Sequence, residues 1–183
     1  MKTIAFITRV KPRRHKMLVI CKNSIRKQTN DDYIHIIYRG DKTKYGYGKL
    51  LANQSFAKIF PIDARYMMAI DDDDMLVDSD FVKIFKEIVD NDNPEIVFFK
   101  CRIEGSVYPK FVFWEKPPVL GEIGGSCFAI RLDVWKKYIH EFGKEICGDY
   151  CFISVCYKNT KKHIWLDRII SRTQRKARRG HGK

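Results

Sequence analysis

The alternation of apolar and polar positions divides the chain into two halves of different character. In the first, short apolar runs alternate with amphipathic stretches of helical length. Thr3–Thr8 reads as a strand, followed by a basic loop, Arg9-Val10-Lys11-Pro12-Arg13-Arg14. A helix then runs to about Lys27 with Leu18, Cys21 and Ile25 on one face. After a turn at Gln28–Asp32, Tyr33–Tyr38 is a second strand that ends at Arg39-Gly40-Asp41. A glycine-containing loop, Lys42–Gly48, leads to a helix near Leu50–Ile59. Tyr66–Ile70 is too short for a free-standing helix and has the pattern of a buried third strand. Asp78 or Ser79 caps a helix in which Phe81, Ile84, Phe85 and Ile88 share one face. This β-α-β-α-β-α order predicts a parallel sheet with helices on both sides.

The second half reads as mixed. Glu95–Arg102 and Tyr108–Trp114 are predicted strands joined by Glu104-Gly105-Ser106, and Glu115-Lys116-Pro117-Pro118 is a loop. Gly121–Ala129 contains Gly124-Gly125-Ser126 and runs into a strand. Asp133–Phe142 is a predicted helix with Val134, Trp135, Tyr138 and Ile139 inward. Cys147-Gly148-Asp149-Tyr150 opens another helix through about Lys158, and His163–Ile170 is a last strand or the approach to a terminal helix. The expected fold is α/β, a Rossmann-like nucleotide-binding half fused to a mixed-sheet half, in one domain over 1–174 with a basic tail at 175–183.

The feature on which this pattern converges is Asp71-Asp72-Asp73-Asp74, directly after the third strand. In open α/β sheets the C-terminal edge is where ligands bind. Four adjacent like charges repel, so a fold that keeps them needs an offset. Hard divalent cations, Mg²⁺ or Mn²⁺, supply one through carboxylate oxygens. The plainer reading is a solvated acidic turn that also caps the next helix.

Composition narrows the classes. With 45% apolar and 13% aromatic residues in 183, the chain is globular, and no apolar run approaches a membrane span. The start, Met1–Thr8, reaches Arg9 before a signal-peptide core could form, so the expected location is the cytoplasm, with peripheral membrane association left open. The net charge of +13 is concentrated at the ends: +9 over residues 1–30 and +8 over 161–183, which leaves −4 for 31–160. Basic ends suit a diphosphate, a nucleic acid or an acidic membrane surface; a solubilising tail is the plainer alternative for Arg175–Lys183. The six cysteines, at 21, 101, 127, 147, 151 and 156, read as reduced thiols, and their spacing does not match a structural zinc site.

Taken in order, these residues resemble a GT-A glycosyltransferase, nearest to family 2: Thr8-Arg9 after strand one, Asp41 after strand two, Ile70–Asp74 after strand three, Gly124-Gly125-Ser126 in the middle, and Gly148-Asp149-Tyr150 opening a late helix. The resemblance covers roughly 3–170, and its strongest piece is Ala69–Met75, similar to a Leu-Asp-x-Asp-Asp signature. The chain departs from the pattern with Gly148-Asp149 in place of Glu-Asp, Ala52-Asn53 in place of Arg-Asn, and Arg39-Gly40-Asp41 in place of paired acids.

The resemblance implies sugar transfer, with inversion, from a nucleoside diphosphate donor, a UDP-sugar first, to a hydroxyl of a glycan, a lipid-linked molecule or another acceptor. It places Asp73 and Asp71 at a Mn²⁺ or Mg²⁺ ion, with Asp71 and Asp72 against the ribose and metal-bound water, and Asp74 behind them. Thr8, Arg9 and Asp41 fall at the nucleotide, with Arg13 and Arg14 beside its phosphates. Asp149 is the implied general base, although an Asp in the first turn of a helix is also an ordinary cap. His163 and His181 are weaker candidates for the metal, and Trp114 and Trp165 for a sugar ring. Rival readings are a nucleic-acid-binding protein using the basic ends, a transferase that modifies nucleic acid, a nucleotidyl or phosphoryl transferase, and an inactive GT-A partner module. The absence of Gly-x4-Gly-Lys-Ser/Thr weighs against phosphoryl transfer.

Overall fold

The computed structural model describes residues 1–11, 13–38 and 63–174. Asp41, Ala52-Asn53, the helix expected at Leu50–Ile59 and His181 lie outside these residues. The described strands are β1 (Lys2–Arg9), β2 (Tyr33–Tyr38), β3 (Ala64–Ala69), β4 (Asp74–Leu76), β5 (Ile96–Ile103), β6 (Ser106–Tyr108), β7 (Phe128–Arg131) and β8 (His163–Thr173). The described helices are α1 (His15–Arg26), α2 (Phe81–Asp92), α3 (Leu132–Tyr138) and α4 (Gly148–Lys158). Among the described residues the strands form one sheet in the order β2-β1-β3-β7-β5-β8-β4, with β6 paired to β5.

Strands β2, β1 and β3 are parallel, as the alternation of the first half requires. Antiparallel β7 then joins β3 to β5, and β8 lies parallel to β5. Five strands therefore point the same way, and β1, β3 and β8 bring their C-terminal ends to one edge.

The period of two within each strand supplies both faces of the sheet. Ile4 and Phe6 of β1 and Tyr66 and Met68 of β3 pack with Cys21 and Ile25 of α1 and Phe81 and Phe85 of α2. Ala5, Ile7, Met67 and Ala69 turn the other way, toward Trp135 of α3, Phe142, and Phe152 of α4. Phe152 sits centrally there, edge-on to Trp135 at 5.2 Å between ring centres. No helix among the described residues is long and apolar enough to cross a membrane.

Three local expectations change. The strand expected at Tyr108–Trp114 stops at Tyr108, because Pro109 has no N–H to give to a ladder; Phe111–Phe113 is a 3₁₀ turn. The helix expected at Asp133–Phe142 is α3 followed by a 3₁₀ segment, Ile139–Gly143. The segment at His163 is a strand, extending to Thr173 rather than Ile170. The hairpin between β5 and β6 turns on Glu104 and Gly105, both at positive φ (48° and 88°), as a two-residue turn that follows strand twist requires.

Candidate active site

Because β1 and β3 are parallel neighbours, Arg9 at the end of one lies beside Asp71 just past the end of the other. The strand pairing continues one step beyond the ladder, with Ile70 N–H donating to Ile7 C=O at 3.0 Å. The chain then turns tightly, Asp74 N–H donating to Asp71 C=O at 2.9 Å, and re-enters the sheet as β4 against the end of β8. The acidic run is thus the turn between two strands. Three residues of β4 carry too little pattern for the sequence to reveal it.

Each carboxylate of the run has a partner. Arg9 donates to Asp71 Oδ1 from Nε and Nη2, both at 2.8 Å. Asp72 is fully buried; its Oδ2 accepts Lys11 N–H at 2.7 Å and its Oδ1 accepts Arg14 Nη1 at 3.1 Å. The same Arg14 nitrogen lies 2.7 Å from Asp73 Oδ2. Asp74 Oδ1 accepts the Thr173 hydroxyl at 2.7 Å. Gln174 N–H donates to Asp73 C=O at 2.7 Å, so β8 delivers the chain directly against the cluster.

These partners set the protonation. Burial pushes Asp71 upward, but Arg9, Lys11 and Arg14 outweigh it and hold the carboxyl below its usual value. For Asp72, burial prevails over Lys11 N–H and Arg14, and the pKa is raised. For Asp73, burial and then repulsion from Asp71 raise it. Asp74 is pushed up to about 7 by burial first and by Asp71 next, against the hydrogen bond from Thr173.

On the other face of the same edge, Asp149 occupies the first turn of α4. Its Oδ2 accepts Gly125 N–H at 3.1 Å. A Cβ on Gly125 would fall 3.1 Å from Ala69 Cβ and 3.8 Å from Asp149 Cγ. The missing side chain therefore lets the Gly125 backbone approach both β3 and Asp149. Burial opposes the charge on Arg9, but Asp71 and then Asp149 favour it, and its pKa is raised. Arg9 also lies over the Phe142 ring, 5.2 Å from its centre. One guanidinium thus links the acidic turn to Asp149 electrostatically.

The structure brings together Arg9, Arg14, Asp71, Asp72, Asp73, Asp74 and Asp149. Thr8 is fully buried, its hydroxyl 2.8 Å from His35 Nε2, and burial with Lys22 and Arg26 nearby lowers His35 to about 4. Arg13 carries positive φ (66°) and is exposed. His163 is at the start of β8, opposite the edge that holds the acids, with its Nε2 2.7 Å from Thr160 Oγ1 and its ring on Tyr157. Trp165 stacks on Phe98 at 4.1 Å and meets Trp114 edge-on at 5.0 Å. Sequence reasoning missed Lys11 N–H, Thr173 and Gln174. No local pattern marks the latter two, which depend on pairing almost 100 residues apart.

Among the described residues no group of three or more His, Cys, Asp or Glu side chains is gathered as a metal site. The donor chemistry still suits a hard cation. Mg²⁺ is commonly held by one or two carboxylates together with substrate phosphates, and Asp71 is close enough to Asp73 to raise its pKa.

No protein-family model and no curated protein matches the sequence. Solved structures match in shape. S. aureus TarS 1-349 in complex with UDP-GlcNAc aligns with a TM-score of 0.70 at 15% identity, over 100% of this chain and 60% of that one. Its complex with UDP gives 0.68 at 15% identity, over 95% and 60%. A197 from STIV gives 0.52 at 18% identity, over 91% and 82%. The chain thus spans about 60% of the length of the TarS 1-349 structures. With its mixed sheet, its helices on both faces and these neighbours, the chain has the GT-A fold that its sequence resembles.

Proposed function

We propose that the chain transfers a sugar from a nucleoside diphosphate, UDP first among them, to an acceptor hydroxyl with inversion. One observation carries the reading. Two arginines, Arg9 and Arg14, and the carboxylates of Asp71 and Asp73 meet at the sheet edge where α/β proteins bind ligands, with Asp149 beside them. The TarS complexes with UDP and UDP-GlcNAc share this fold.

Arg9 and Arg14 hold planar N–H forks that match phosphate oxygens and receive the charge left on the departing diphosphate. Asp71 and Asp73 would hold Mg²⁺ or Mn²⁺, which when bound supplies Lewis-acid stabilisation of that leaving group. Asp72, fully buried on Lys11 N–H and Arg14, fixes the loop between Arg9 and Arg14. Asp149 takes the proton of the acceptor hydroxyl as that oxygen attacks the anomeric carbon. Gly125 N–H, bonded to Asp149 Oδ2, orients this carboxylate. Thr8, fully buried, ties the end of β1 to β2 through His35, and Asp41 is assigned to the nucleobase on the resemblance alone. The acceptor class is a hydroxyl of a glycan or a lipid-linked molecule.

A nucleic acid at the front of the chain would meet the same condition as a diphosphate, because its phosphates must take the basic residues from their carboxylates. Arg9, Lys11 and Arg14 of the basic N-terminal block are engaged by Asp71, Asp72 and Asp73. The deciding experiment is a donor-hydrolysis screen across nucleotide sugars, with Mn²⁺ and with EDTA, on the wild type and Asp73→Asn. Cation-dependent release of UDP that the variant lacks supports the proposal. No release from any donor, with a salt-sensitive gel shift on nucleic acid instead, overturns it.

A further inference from the structure

Four of the six cysteines, Cys21, Cys101, Cys127 and Cys156, are buried, whereas Cys147 and Cys151 are partly exposed. The latter two lie one helical turn apart at the start of α4, with Cys147 as the residue before the helix and Cys151 in its first turn. Their sulfurs are 3.5 Å apart. Cys151 N–H donates to Cys147 C=O at 3.0 Å, so the backbone already holds the two residues face to face. Cys147 has φ −89° and ψ 45°, outside the helical basin, and its Cβ is not confined to the helix path. The other close pair, Cys101 and Cys127, has sulfurs at 3.1 Å but lies inside the core, away from any solution oxidant.

We propose that Cys147 and Cys151 are a reversible dithiol–disulfide site on the helix that carries Asp149. The oxidant class is a small disulfide such as oxidised glutathione. The Cys147 thiolate attacks one of its sulfurs, forming a mixed disulfide and releasing one small thiol. The Cys151 thiolate then attacks the Cys147 sulfur, closing the protein disulfide and releasing the second small thiol. Two protein thiols are oxidised, one external disulfide is reduced, and the two protons pass to the departing thiolates. Burial, and then the neighbouring Cys147 thiol, push Cys151 up to about 11, so its thiolate is scarce near neutral pH and closure becomes faster as pH rises.

Closure draws the sulfurs from 3.5 Å to about 2 Å, across a turn whose middle residue is Asp149. Any backbone adjustment in that turn moves Asp149 against Gly125 N–H. Misplacement on the ångström scale can cost about a hundredfold in rate, so oxidation lowers turnover. This consequence rests on the proposed function, while the disulfide itself does not.

The test treats the fully reduced chain with oxidised glutathione, blocks remaining thiols by alkylation, and reads intact and peptide masses. The expected product has lost about 2 Da, two hydrogens, mapped to the 147–151 segment, and returns to the starting mass with dithiothreitol. Cys151→Ser should trap a glutathione adduct on Cys147, and Cys147→Ser should form no internal disulfide. Oxidation of Cys101 and Cys127 first, or a 147–151 pair that stays reduced and fully alkylated, overturns the proposal. Donor hydrolysis is measured on the same samples. A disulfide that forms without slowing hydrolysis refutes the coupling to Asp149. A reduced chain that hydrolyses no donor refutes the functional reading, with the masses still deciding the thiol chemistry.

Discussion

The carboxyl of Asp74 permits a quantitative test of how the acidic turn is held. Its pKa is pushed from the ordinary 3.8 up to about 7, first by burial and next by Asp71. A raised pKa in the folded state means that folding favours the protonated form. Below about pH 4 the group is protonated folded or unfolded, and its contribution is fully present. As pH rises toward 7 the unfolded chain releases the proton and the folded one does not, so stability falls; above 7 the penalty is constant. At 1.36 kcal/mol per pKa unit the full effect has a ceiling of about 4 kcal/mol, and we expect about 2 kcal/mol because Asp74 retains contact with solvent. Asp74→Asn removes the titration and keeps an oxygen for the Thr173 hydroxyl. Urea denaturation of both proteins at pH 4.5 and pH 8, with EDTA present, gives the difference in unfolding free energy at each pH. The variant should gain about 2 kcal/mol relative to wild type between these two values. Titration of His35 is common to both proteins and cancels. A difference that does not move with pH, or that moves the other way, would show that the carboxylate is ionised and satisfied in the folded turn.

Asp149→Asn should keep nucleotide binding, seen as an unchanged thermal shift with UDP, and lower turnover by about a hundredfold or more. Loss of nucleotide binding would place Asp149 at the donor instead. Gly125→Ala forces a Cβ to 3.1 Å from Ala69 Cβ. It should cost about 1 kcal/mol of stability by denaturation and about tenfold in turnover, by displacing the N–H that orients Asp149; an unchanged rate would separate Gly125 from the chemistry. Phe152→Ala empties the centre of the layer formed with Phe128, Trp135 and Phe142, and should destabilise by about 3–5 kcal/mol in the same assay.

Why the first half of the fold was legible and the second less so follows from how strands declare themselves. Strands β1, β2 and β3 are long enough to show a period, and α1 buries Leu18, Cys21 and Ile25 as the helical spacing requires. Strand β4 has three residues, of which Asp74 is the one polar residue, so nothing local marks it. Strand β6 ends where Pro109 ends it, while the apolar run through Trp114 continues as a 3₁₀ turn. The acidic run and Asp149 were visible as residue types in order along the chain. Their neighbours were not, because Thr173 reaches Asp74 only through β8 pairing with β4, and Gly125 reaches Asp149 across the end of β3. Lys11 enters through a main-chain N–H, which no side-chain pattern can advertise.

The geometry of the cluster also makes a claim about order and linkage. Arg14 Nη1 is shared between Asp72 Oδ1 at 3.1 Å and Asp73 Oδ2 at 2.7 Å, and Arg9 is committed to Asp71. A diphosphate that binds both guanidiniums takes them, at least in part, from their carboxylates. Asp71 and Asp73 are then left in a partly buried turn with less positive charge to offset them, at a cost of several kcal/mol if nothing replaces it. Asp71 and Asp73 would then hold a divalent cation, which would supply the missing positive charge. On the proposed function each ligand would create part of the other's site, and by linkage each should raise the other's affinity by the same factor, about tenfold or more. Calorimetric titration of Mn²⁺ with and without UDP, and of UDP with and without Mn²⁺, measures both sides after correction for Mn²⁺–UDP association in solution. Asp73→Asn should abolish the reciprocity while leaving the fold intact by circular dichroism. Equal Mn²⁺ affinity in the presence and absence of UDP would mean that the arginines do not release their carboxylates. The cluster would then be a structural knot at the sheet edge, with the nucleotide held elsewhere.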